Sequence, residues 1–111
     1  MAYDEALAER IRELIGSDPD VSEMRMFGGL AFLVSGNMSV AAVSAGGLMV
    51  RVDPDATEEL ASRPHAGPFE MRGRPLDGWL LVAGEGVGTS SGLEEWVQLG
   101  VGYARSLPPK R

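Results

Sequence analysis

Residues 24–52 read Met24-Arg25-Met26-Phe27-Gly28-Gly29-Leu30-Ala31-Phe32-Leu33-Val34-Ser35-Gly36-Asn37-Met38-Ser39-Val40-Ala41-Ala42-Val43-Ser44-Ala45-Gly46-Gly47-Leu48-Met49-Val50-Arg51-Val52. Three apolar, β-favouring runs are separated by two turn signals, Ser35-Gly36-Asn37 and Ala45-Gly46-Gly47. Short links of residues that accept positive φ predict a three-stranded antiparallel meander. In the first run Leu30, Phe32 and Val34 share one face and Ala31 and Leu33 the other, so both faces are apolar. An antiparallel sheet with one wet face alternates instead. Something is therefore expected to cover the second face. Small residues in the second run, with Gly100 and Gly102, favour the last helix; a second subunit is the alternative.

Working outward, residues 4–15 predict an amphipathic helix capped by Asp4, with Leu7, Ile11, Leu14 and Ile15 on one face. Paired glycines at a strand mouth, Gly28-Gly29, mean a bulge, a bend or close approach of another backbone. A phosphate-cradling loop would need a helix to open directly after them, and a strand follows. Downstream, Asp53-Pro54-Asp55 opens a second helix with a capping Asp and Pro at the first helical position. Two strands follow, Phe69–Arg72 and Trp79–Val82, joined through Gly73-Arg74-Pro75. A last helix carries Leu93, Trp96, Val97 and Gly100, with Ser91 and Glu94 spaced as a capping box. The predicted class is α+β: a two-layer domain over 1–107 with a five-stranded antiparallel sheet, order α-β(3)-α-β(2)-α, and residues 108–111 as tail.

The chain has 111 residues, an apolar share of 44 % and no cysteine. One core-forming domain is expected, without disulfides, a thiol nucleophile or thiolate metal ligands. No run reaches the length of a membrane span and the start is acidic, so a cytoplasmic protein without membrane association is expected. The formal charge of −6 opposes phosphate approach and argues against direct DNA binding.

The order of elements and several local strings resemble the N-terminal domain of the TfoX/Sxy family, bacterial regulators of natural competence. The strings are Met26-Phe27-Gly28-Gly29, Ala31-Phe32 with Gly36-Asn37-Met38, Met49-Val50-Arg51-Val52, Gly73-Arg74-Pro75 and Gly78-Trp79, then the Trp96 helix and the Ser-Leu-Pro-Pro ending. The resemblance implies the fold above, a loose association with transcription regulation and no established enzymatic site. In the family a second, helical domain often follows, which the residues up to 111 do not include.

No catalytic residue, metal ligand or cofactor is assigned. His65 stands alone, without further ligands at metal spacing or a partner to orient it as a base. The methionines Met24, Met26, Met38, Met49 and Met71 read as core filler, with an adaptable partner surface as the alternative. Arg51, Arg72 and Arg74 form a candidate anion or carboxylate clamp if the strands bring them together. Met26, Phe27, Gly28, Gly29, Gly73, Pro75 and Trp79 read as structural. Three functions compete. The first is a non-enzymatic interaction module acting through an unknown protein partner or as a homodimer. The second is nucleic-acid binding through the central arginines. The third is a small-molecule or anion site, or an unrecognised enzyme, where Gly28-Gly29 and Gly73-Arg74-Pro75 meet as one corner.

Overall fold

The computed structural model describes residues 3–26, 28–43, 46–71 and 73–110, apart from the Met71 side chain. Helix α1 is Glu5–Ile15; strands β1 to β4 are Val21–Met26, Gly29–Val34, Asn37–Val43 and Gly47–Arg51. A 3-10 turn, Pro54–Ala56, leads into the short helix α2, Thr57–Ala61. Strands β5, Ala66–Met71, and β6, Arg74–Ala83, precede helix α3, Ser90–Ser106. All strand pairs are antiparallel, in the order β1-β2-β3-β4-β6-β5.

The sheet thus has six strands where the sequence predicts five. The added strand is β1, an edge strand with Ser22, Glu23, Met24 and Arg25 exposed. It buries too little to carry a core pattern, and its pairing with the apolar β2 holds it in place. The meander itself is as expected. Ser35 (φ 50°) and Gly36 (φ 85°) form the two-residue link between β2 and β3. Positive φ at both positions is the type I′ requirement. Gly28 has φ 76°, and a Cβ on Gly29 would lie 2.5 Å from the Ala42 carbonyl oxygen. One glycine turns the chain and the other admits a neighbouring backbone.

Helix α1 starts at Asp4, whose carboxylate accepts from the Ala6 and Leu7 amides. Leu7, Ala8, Ile11 and Ile15 are buried, whereas Leu14 falls at the edge of the stripe and is 36 % exposed. The Asp53 carboxylate accepts from the Asp55 amide at 2.9 Å, as the capping pattern predicts. Thr57 Oγ1 donates to the Pro54 carbonyl and accepts from the Gly78 amide at 2.7 Å, tying α2 to β6. For α3 the cap is Thr89, which accepts from the Gly92 amide, and not the Ser91–Glu94 pair. The helix begins two residues earlier than the capping-box pattern places it.

Leu30, Phe32, Val40, Leu48, Val50, Leu80 and Val82 line one face of the sheet and join Ile11, Leu93, Trp96 and Val97 in a single core. Helix α3 reaches the sheet through Gly100, where a Cβ would lie 2.6 Å from the Ser39 carbonyl oxygen and 2.7 Å from Val40 Cγ1. A Cβ added at Gly102 would meet nothing within 4 Å, so only Gly100 serves close packing. The last helix therefore covers the Phe32–Val40 face and leaves the face bearing Ala31 and Leu33 uncovered, contrary to the expected intrachain cover.

Candidate functional site

Strand register fixes what the uncovered face presents. Across its middle, Met24 lies opposite Ala31, Ala31 opposite Ala41, Ala41 opposite Met49, and Met49 opposite Leu81. At one end Met26 lies opposite Gly29, and Gly47 lies between Val43 and Ala83. At the other, Ser22 pairs with Leu33, Leu33 with Met38, and Arg51 with Trp79. None of these positions is a carboxylate, and Arg51 is the one charged residue among them. The solvent side of an antiparallel sheet is normally polar. This one is apolar.

Met24, Met26, Met38 and Met49 belong to this face and not to the core, while the Met71 side chain lies outside the described residues. Met24 is 49 % exposed, and Met26, Met38 and Met49 are half-buried. A flexible thioether suits a surface that must adapt to what lies on it. Ala31 and Ala41 are nonetheless buried, because the longer side chains around them stand over the small ones.

The face sinks into a groove of about 550 Å³ that reaches from Met26 to Arg51. Met24, Met26, Leu33, Met38 and Trp79 supply its apolar lining, and Arg51 and Lys110 its cations. The Arg51 guanidinium carbon lies 5.4 Å from the Trp79 ring centroid and 5.7 Å from that of Tyr103. Both are cation–π distances, so the aromatic faces fix where the guanidinium sits. Lys110 reaches the groove because the backbone at Pro108 and Lys110 is held against the β2–β3 link. Asn37 Nδ2 donates to the Pro108 carbonyl at 2.9 Å, and the Lys110 amide donates to the Ser35 carbonyl at 2.8 Å.

The remaining candidates lie elsewhere. Arg74 is exposed at the start of β6, five residues before Trp79 and so roughly 17 Å away along an extended strand. The structure does not bring Arg51 and Arg74 into one clamp; Arg72 and Phe27 lie outside the described residues. Gly28 belongs to the β1 edge, whereas Gly73 (φ 79°) and the exposed Pro75 belong to the β5–β6 edge. The expected glycine corner does not exist, because those edges are opposite sides of the sheet. His65 takes a positive φ of 66° in an exposed turn, where its carbonyl accepts from the Ala83 amide at 2.8 Å. Among the described residues no His, Asp or Glu group is arranged to hold a metal ion.

Charged contacts elsewhere are structural. Arg12 pairs with Glu9 at 2.6 Å and Glu23 at 2.7 Å, linking α1 to β1. These hydrogen bonds, chiefly with Glu23, raise the Arg12 pKa, and Arg12 holds the Glu23 carboxyl below the usual carboxylate range. Asp18 is lowered first by the Asp20 amide and then by Arg105. Arg63 pairs with Glu95 at 3.5 Å and lies over Trp96.

Over residues 13–104, from α1 through most of α3, the chain matches the family described as the TfoX N-terminal domain. The chain belongs to that family. Comparison with curated proteins and with solved structures gives no match. Within this TfoX N-terminal domain, Met26 and Gly29 of one quoted string and Met49 and Arg51 of another lie on the open face, and Trp79 lines the groove. Sequence reasoning singled out Arg51, Met26 and Trp79 but missed Tyr103 and Lys110, which lie far from them along the chain. The methionines did carry a signal. Met24 and Met26 alternate with Arg25 in a strand whose second face should be polar.

Proposed function

We propose that this TfoX N-terminal domain is a non-enzymatic interaction module that acts through protein contacts, in a regulatory role of the transcription or competence type associated with its family. The uncovered apolar face of the sheet carries this reading. Contiguous exposed apolar patches mark interaction surfaces, and here Met24 is exposed with Met26, Leu33, Met38, Met49 and Trp79 half-buried around it. The methionine content adds adaptability, and the absence of carboxylates among the described residues of the face leaves a surface unlike the acidic remainder of the molecule. Direct nucleic-acid binding is the weaker reading. Arg51 and Arg74 lie apart on the sheet, and the N-terminal half of α3 exposes Glu94 and Glu95 where a groove-reading helix needs cations.

The test is affinity purification from the native host with wild-type protein and a Met38→Glu/Met49→Glu double variant, both verified as folded by circular dichroism. Proteins retained by the wild type and lost by the variant support the reading. Identical retention by both, or recovery of nucleic acid alone, refutes it.

A further inference from the structure

The groove has a polar centre that protein contacts through the wider face do not require. Three cations elsewhere are neutralised by neighbours: Arg12 by Glu9 and Glu23, Arg63 by Glu95, and Arg105 by Asp18 and Asp20. Arg51 differs from all three. Among the described residues it has no carboxylate or carbonyl partner, yet Trp79 and Tyr103 fix its position. A guanidinium held near aromatic rings keeps its five N–H donors, and none of those of Arg51 is taken by an acceptor among the described residues. That is the arrangement for bidentate recognition of a carboxylate. Lys110, held at the groove by its own backbone, adds a second positive charge.

From this we infer that the groove binds an aliphatic monocarboxylate, its head on Arg51 and its chain laid across the strands over Met38, Leu33 and Met24. The volume, the apolar lining and the few convergent polar groups are those of a small-molecule site. Length follows from the topology. From β4 to β1 is three strand spacings, or roughly 14 Å. An extended chain advances about 3.5 Å per three bonds, so about twelve bonds span the groove. A second copy of the chain is a poorer occupant. A two-fold contact sets the same patch against itself, and among its described residues this patch offers Arg51 no carboxylate. The inference goes beyond the protein-contact reading and its test involves no protein partner, so each can fail alone.

Dodecanoate below its micellar concentration is titrated into the full chain, with Trp79 fluorescence and calorimetry as readouts; Trp96, 5 % exposed in the core, provides a constant background. One-to-one saturable binding is expected, with no such binding of dodecyltrimethylammonium, which has the same chain and the opposite head charge. Arg51→Gln should weaken binding roughly ten- to a hundredfold, the range of one charge-assisted pair. Arg51→Lys, which keeps the charge and loses the fork, should fall between, and it carries the test if the glutamine variant does not fold. Equal uptake of both amphiphiles, no saturation, or affinity unchanged in both variants overturns the proposal. So does a micromolar dimer that protects Met38 and takes up no dodecanoate, which would assign the groove to a second copy.

Discussion

Replacing Gly100 by Ala in α3 sets two effects of known sign against each other. Alanine in a helix interior gains about 1 kcal/mol over glycine. Against that, the added methyl would lie 2.6 Å from the Ser39 carbonyl oxygen and 2.7 Å from Val40 Cγ1, where ordinary contact begins at 3.4 Å. Relief needs a shift of about 0.8 Å (3.4 minus 2.6) between helix and strand. Ser39 cannot move freely, because its hydroxyl donates to the Phe32 carbonyl at 2.8 Å at the β2–β3 bulge. Overpacking of this kind costs about 1–3 kcal/mol. The net expectation is a loss of about 1 kcal/mol, up to about 2. Gly102→Ala is the control: same helix, two residues on, exposed, with nothing within 4 Å. It should gain most of the propensity term, about 0.5–1 kcal/mol. At about 2.1 cal/mol/K per residue, 1 kcal/mol moves the Tm of this chain by about 4 °C. Thermal and urea unfolding should therefore displace the two variants in opposite directions. A Gly100→Ala protein more stable than wild type, or two variants shifted alike, would refute the claim that close backbone approach selects glycine at 100.

Gly28→Val should destabilise by about 1–2 kcal/mol, since a β-branched residue at φ 76° meets its own backbone; an unchanged melting temperature would remove this reading. Asp53→Ala should cost about 1 kcal/mol through the lost cap, measured by urea unfolding, and a variant as stable as wild type contradicts the cap. Glu23 and Asp18 are both held below the usual carboxylate range. Their contribution is thus complete above that range and disappears as pH falls through the lowered values. Acid titration of stability should show this loss, and Arg12→Gln should flatten the Glu23 part of it; an identical profile in the variant counts against the linkage. Duplex DNA, single-stranded DNA and RNA should all bind more weakly than about a micromolar at physiological salt, the tight end of the non-specific range. Tighter binding with a steep salt slope, lost on replacing Arg51 and Arg74, would favour nucleic-acid recognition instead.

Local chemistry made much of the architecture legible from the chain alone. The Ser35-Gly36 link, the Asp4 and Asp53 caps and the 3.6-residue stripe of α1 depend on neighbours a few residues away, so their signals sit in short windows of sequence. Strand β1 was illegible because an edge strand buries little and its reason for existing is β2. The capping of α3 by Thr89, two residues before the Ser91–Glu94 pattern, shows how adjacent polar residues compete for one end. The site divides along the same line. Apolar residues on both faces of Leu30–Val34 announced that the second face needed a cover, and Met24, Met26 and Arg51 stood in plain view. Which face α3 takes was decided by packing. Gly100 admits the helix to the Val40 side, where the larger apolar area closes into one core, and one helix covers one face. Tertiary structure alone brought Tyr103 and Lys110, more than fifty residues beyond Arg51 in sequence, to the end of β4. Positions that far apart share no local signal, so only the folded chain makes them neighbours.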